Sequence, residues 1–136
     1  MSIAIEELLP HRPPMRWVDA LVDCTDTTAV ATVRIEPEHF AVENGTLLET
    51  ALVECVAQTV AAALGQRRSA SGQNASANKG MLIGVSNFRI ETRPKAGQML
   101  TIETREVKRL DPMLLVAATI ACEGELVATG ELSFYA

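Results

Sequence analysis

Histidine is almost missing from this chain, with only His11 and His39 in 136 residues. Aromatic side chains are nearly as scarce, at three phenylalanines, one tyrosine and one tryptophan, so the core must be built from Val, Leu, Ile and Ala. Basic charge is in deficit, with 12 Lys and Arg against 17 Asp and Glu for a net charge of −5. That excludes the basic surface of a nucleic-acid binder. No apolar run approaches the ~18 residues of a membrane span. The opening residues, MSIAIEELLPHRPP, lack the basic start and apolar stretch of a signal peptide. Cys24, Cys55 and Cys122 are an odd, widely spaced set without metal-type pairing, which points to reduced thiols and a cytoplasmic location. No Gly-rich phosphate loop, metal-spaced cluster or serine nucleophile elbow occurs, so nothing calls for a metal or organic cofactor.

What is present is a chain 48% apolar, long enough for one domain, residues 1–136, that buries about two-thirds of its unfolded surface. Six segments read as strands: Val18–Cys24, Thr28–Ile35, Met81–Glu91, Met99–Lys108, Leu114–Cys122 and Glu125–Tyr135. In the last, Leu126, Ala128, Gly130, Leu132 and Phe134 alternate with Val127, Thr129, Glu131, Ser133 and Tyr135. Leu47–Leu64 reads as a helix between Gly45 and Gly65, with a capping box of Thr46 and Glu49, or with a start two or three residues later. The polar stretch after Gly65, about 66–79, reads as a mobile loop. Two strands, one apolar helix and four more strands make an α+β domain with an antiparallel sheet and the helix on one face. A helix apolar nearly all round is a buried one, and a strongly curved sheet would wrap it, as in the hotdog fold.

Residues 51–58, ALVECVAQ, set a carboxylate inside that helix. Thr50, Glu54 and Gln58 lie four apart and form one polar stripe. An ionised acid there is costly, so Glu54 either keeps its proton or finds hydrogen-bond partners. Kept neutral, it can protonate a leaving group; the alternative is a core glutamate tied to backbone groups or to Gln58. His39, in the loop EPEHFAVENG before the helix, is either a base for a proton beside a carbonyl or a solvated loop residue. His11, in LLPHRPPM, reads as part of a structural lead-in rather than as a catalytic group. Cys55 points about a quarter turn from the polar stripe and reads as an inert hydrophobe.

LLPHRPPMRWVD, then His-Phe in a loop, then LVECVAQ on a helix, resembles the 3-hydroxyacyl-[acyl-carrier-protein] dehydratases of hotdog fold. ENGTLLETALVECVAQT, KGMLIGV and VATGELSFY resemble more closely the dehydratase-like proteins of aryl polyene biosynthesis clusters. The resemblance implies a curved sheet of about six strands around a central helix, in a homodimer or higher oligomer, or a heterodimer with a second hotdog dehydratase. It implies sites at the subunit interface that join His39 of one chain to Glu54 of another. The reaction implied is reversible dehydration of a 3-hydroxyacyl thioester to the trans-2-enoyl thioester. The substrate would ride on a phosphopantetheine arm, with no other cofactor. His39 would take the C2 proton and Glu54 would protonate the departing hydroxyl, with Thr50, Gln58 and Glu49 placed to bind substrate. An acyl carrier protein would dock on Arg67, Arg68, Arg93 and Lys95, with Arg89 a further candidate. Where the family carries a Pro- and Gly-rich run ahead of its helix, this chain has HFAVENGTLLET, with Leu48 and Glu49 at the Pro-Gly positions. A non-catalytic partner subunit of such a dehydratase, or a hotdog thioesterase, are the other activities the same fold accommodates.

Overall fold

The computed structural model describes residues 4–72 and 81–135. A short helix α1 (Ile5–Leu8) opens the chain and buries Ile5 and Leu8. Strands β1 (Val18–Cys24) and β2 (Thr28–Arg34) form a hairpin. A loop with the two-residue strands β3 (Val42–Glu43) and β4 (Thr46–Leu47) leads to the long helix α2 (Glu49–Ala70). Four strands follow: β5 (Met81–Ile90), β6 (Met99–Leu110), β7 (Met113–Cys122) and β8 (Glu125–Tyr135). The six long strands make one sheet, every neighbour antiparallel, in the order β1-β2-β6-β7-β8-β5. This is the α+β hotdog arrangement, with α2 packed on one face against β1, β2 and β6.

The alternation that marks the strands also decides which residues meet the helix. In β2, Ala29, Ala31 and Val33 point inward; in β7, Leu114, Val116, Ala118, Ile120 and Cys122 do. All of these but Ala29 join Leu52, Val56 and Val60 of α2 in one cluster. The expected alternation of β8 holds from Ala128 to Phe134 and breaks at its start. A bulge opposite Ile120 and Ala121 turns Val127 into the core and leaves Leu126 46% exposed. Gly130 lies under Phe88 of β5, where a Cβ would fall 2.5 Å from the ring, so any side chain here would force the edge strand outward.

The start of α2 falls two residues after Leu47, as the later of the expected starts had it, while the capping box and the far end differ from the sequence reading. Thr46 belongs to β4 and donates its hydroxyl to Glu43 O at 3.1 Å, so the capping box does not form. Leu48 takes the cap position with no side-chain cap, and Glu49 is the first helical residue, beside the positive end of the helix dipole. At the other end the helix runs through Gly65, which is buried, and stops only where Gly72 turns at φ +82°. A glycine weakens a helix interior by about 1 kcal/mol without ending it, while a positive φ does end one. Residues 66–70 of the expected loop are therefore helical, and 73–79 lie outside the described residues.

Candidate active site

The lead-in segment and the middle of α2 are laced together by one side chain. Gln58 is buried. Its Oε1 accepts the backbone N–H groups of Trp17 at 2.7 Å and Val18 at 3.2 Å. Its Nε2 donates to Met15 O at 2.7 Å and to Glu54 Oε2 at 2.8 Å. These four bonds fix which end of the amide is oxygen and leave Gln58 nothing to offer a substrate. They also make Glu54 Oε2 an acceptor, so any proton on that carboxyl group resides on Oε1.

Glu54 is half-buried, not sealed in. Val53, Glu54, Ala57, Ala61 and Leu64 form a stripe of α2 that the sheet does not fully cover, an opening in a helix otherwise enclosed. Below it lies a cavity of about 170 Å³. Its polar end is His11, Glu54 and Gln58, and its apolar end is Leu64, Leu82 and Phe134. His11 Nε2 stands 3.8 Å from Glu54 Oε2. Sequence reasoning set His11 aside as structural, because nothing in LLPHRPPM signals that the segment folds back over residue 54. Thr50 and Glu49, one turn earlier, are exposed and do not line the cavity.

Among the described residues the partners of His39 are backbone and aromatic groups, not Glu54. Its Nδ1 accepts the Ala41 N–H at 3.0 Å, which leaves the proton on Nε2, and Nε2 meets Pro14 O at 2.8 Å. The ring stacks on Phe40 at 4.4 Å and meets Trp17 edge-on at 5.4 Å. Both ring nitrogens are thus engaged by backbone of the same chain. Phe40 is 58% exposed and extends this aromatic group outward.

Cys55 is fully enclosed, and burial, with the Glu54 and Asp19 charges adding to it, pushes its thiol up to about 12. It is inert at neutral pH, as its angle from the stripe implied. Among the described residues no three His, Cys, Asp or Glu side chains gather as a metal site, and no helix is long and apolar enough to cross a membrane.

The expected docking cations divide. Arg67 points inward: Nε donates to Thr25 O at 2.7 Å, one terminal nitrogen to Thr28 O at 3.0 Å, and the other lies 3.5 Å from Glu106. It fastens the last turn of α2 to the β1–β2 turn. Arg93 gives its Nε to Leu47 O at 3.0 Å, and with Lys95 it lines a polar cleft that also holds Glu123 and Glu125.

An antiparallel sheet packed around one long helix is the hotdog architecture, here with a glutamate of that helix over a cavity. The sequence agrees along its whole length. Residues 3–136 match the family model described as ApeP-like, ApeP dehydratase. The 3-hydroxyacyl-[acyl-carrier-protein] dehydratase FabZ of Lactococcus lactis subsp. cremoris (strain SK11) is 30% identical over 135 residues, covering 96% of this chain and 90% of that protein. The FabZ of Streptococcus thermophilus (strain CNRZ 1066) is 29% identical over 136 residues, covering 96% and 93%. The chain belongs to the ApeP-like dehydratase family. Among solved structures, the dehydratase heterocomplex ApeI:P from Xenorhabdus doucetiae superposes with a TM-score of 0.89 at 22% identity, over 99% of this chain and 91% of that one. A hypothetical thioesterase from Streptococcus pneumoniae TIGR4, solved with coenzyme A, shares the fold more distantly, with a TM-score of 0.66 at 14% identity over 85% and 82% of the two chains.

Proposed function

We propose that this chain supplies the acid half of a site that dehydrates a 3-hydroxyacyl thioester to the trans-2-enoyl thioester. Glu54 over the open cavity carries the reading: it is an oriented carboxyl group beside an apolar pocket sized for part of an acyl chain. Removal of the C2 proton puts charge on the thioester oxygen; the C3–O bond breaks as Glu54 Oε1 gives its proton to the hydroxyl, and water and the enoyl thioester leave. Gln58 holds Glu54 and does not touch the substrate. Thr50 and Glu49, exposed at the start of α2 and outside the cavity lining, would meet only the phosphopantetheine arm. The arm would come from an acyl carrier protein docked on Arg93 and Lys95, beside the start of α2, whereas Arg68 lies in the last turn of that helix; a cytoplasmic location accords with that partner.

The base is a histidine across a subunit interface. In a homodimer it is His39 of the second copy, whose lone pair on Nδ1 has to release the Ala41 N–H before it can accept a proton. That requirement favours a second reading, a mixed dimer in which another hotdog dehydratase provides the base and this chain provides Glu54. The fold's likeness to a heterocomplex supports it.

The test is a dehydration assay on a short 3-hydroxyacyl-carrier thioester, following enoyl product and free thiol, with wild type, His39→Ala and Glu54→Gln, each alone and mixed with a second hotdog dehydratase. Activity lost in both variants supports the homodimer. Activity in the mixture, lost with Glu54→Gln and kept with His39→Ala, supports the mixed dimer. Free thiol without enoyl product, or full activity of Glu54→Gln in every combination, refutes the proposal.

A further inference from the structure

His11 and Glu54 are the only titratable side chains lining the described cavity, and they face each other across 3.8 Å. The segment that carries His11 is held on both sides. Arg12 folds back to donate to the carbonyl oxygens of Leu9 and His11, each at 2.8 Å, and Gln58 ties down Met15 O. The ring is therefore delivered to the carboxylate by fixed backbone. Its Nδ1 is buried with no hydrogen-bond partner among the described residues. A bare lone pair in that position costs less than an orphaned N–H, so the proton of the neutral ring belongs on Nε2, the nitrogen turned to Glu54.

We propose that His11 is a positioning residue for Glu54: its Nε2–H and the Nε2–H of Gln58 converge on Oε2, which confines the transferable proton to Oε1. The inference rests on Glu54 being the acid of the dehydration. At 3.8 Å the contact is electrostatic, and it shortens to a hydrogen bond when the half-exposed pair is covered by substrate and the neighbouring subunit. Two donors on one oxygen also fix the plane of the carboxyl group. A carboxyl group free to rotate would present Oε1 to the hydroxyl only part of the time.

A double-mutant cycle tests this, run in whichever assembly carries the dehydration activity, with wild type, His11→Ala, His11→Gln, Glu54→Gln and the His11→Ala/Glu54→Gln pair. His11→Ala should lower kcat by roughly 10- to 100-fold with KM within about 3-fold, since geometry at the reacting atom is lost and binding is not. His11→Gln, whose amide N–H reaches the position of Nε2–H, should recover kcat to within about 5-fold of wild type. In the Glu54→Gln background, His11→Ala should cost nothing further, because its effect runs through Glu54. Equal losses in both backgrounds, a wild-type kcat for His11→Ala, or a change in KM alone would overturn the proposal while leaving Glu54 as the acid. A Glu54→Gln enzyme at full rate would overturn the acid itself and this inference with it. Melting temperatures of all variants separate misfolding from chemistry, and if His11→Ala fails to fold, His11→Leu replaces it in the cycle.

Discussion

Replacing Gln58 by leucine, a side chain of similar size, should cost more than any nearby apolar exchange. The substitution strands the N–H groups of Trp17 and Val18 and the carbonyl of Met15, all of which now end on one amide. Each buried backbone group left without a partner costs about 1–3 kcal/mol, so the two enclosed N–H groups and the partly covered carbonyl together cost about 4–6 kcal/mol. Better apolar packing of leucine offsets about 1 kcal/mol. The net loss is about 3–5 kcal/mol. A chain of 136 residues unfolds with an entropy near 2.1 cal/mol/K per residue, so each kcal/mol moves the melting temperature by about 4 °C. Calorimetry at neutral pH should therefore find Gln58→Leu melting about 12–20 °C below wild type. Dehydration should fall with it even well below the melting range, because Glu54 loses its orienting donor. A drop under about 4 °C would mean that water or a rearranged backbone serves those three groups as well as the amide does, and the account of Gln58 as the lace of the site would be wrong.

Arg67→Ala should lower stability by about 1–2 kcal/mol, through the lost bonds to Thr25 O and Thr28 O, and leave KM for a carrier-bound substrate within about 2-fold. A raised KM at unchanged melting temperature would return Arg67 to the docking surface. Cys55 should resist iodoacetamide at pH 8 in the folded protein and react on unfolding, as read by mass spectrometry; labelling of the native chain would contradict its enclosure. Because the native thiol titrates near 12 against 9.0 when unfolded, its contribution to stability is complete below pH 9 and drains away between pH 9 and 12. Cys55→Ala should accordingly flatten the alkaline fall in melting temperature; an unchanged slope would refute that.

Local pattern was enough to find the sheet. All six long strands lie within a residue or two of where alternation and turn residues put them, whereas their order in the sheet was not read from the sequence. The misreadings have local causes too. Leu126 and Val127 exchange faces at a bulge, which is a feature of pairing with β7 and leaves no mark in β8 alone. Gly65 and Thr46 carry the residue types of helix boundaries, yet Gly65 is held helical by packing and Thr46 is claimed by a strand. The site was half legible. Glu54 stood out as an acid among apolar residues, and its tie to Gln58 follows from a spacing of four. His11 did not, because its place over the helix depends on bonds joining positions some forty residues apart.

The chain's one tryptophan sits in the middle of that lacing, with its backbone N–H on Gln58, its indole N–H on Pro14 O and its ring against His39. The sequence in effect installs a fluorophore in the candidate site. Indole emission responds to polarity and to stacked neighbours, so intrinsic fluorescence, usually a signal averaged over a whole molecule, is here a local gauge. Substrate entry, subunit pairing or release of His39 from Pro14 each alter the surroundings of Trp17, and each can be timed by stopped flow without attaching a label.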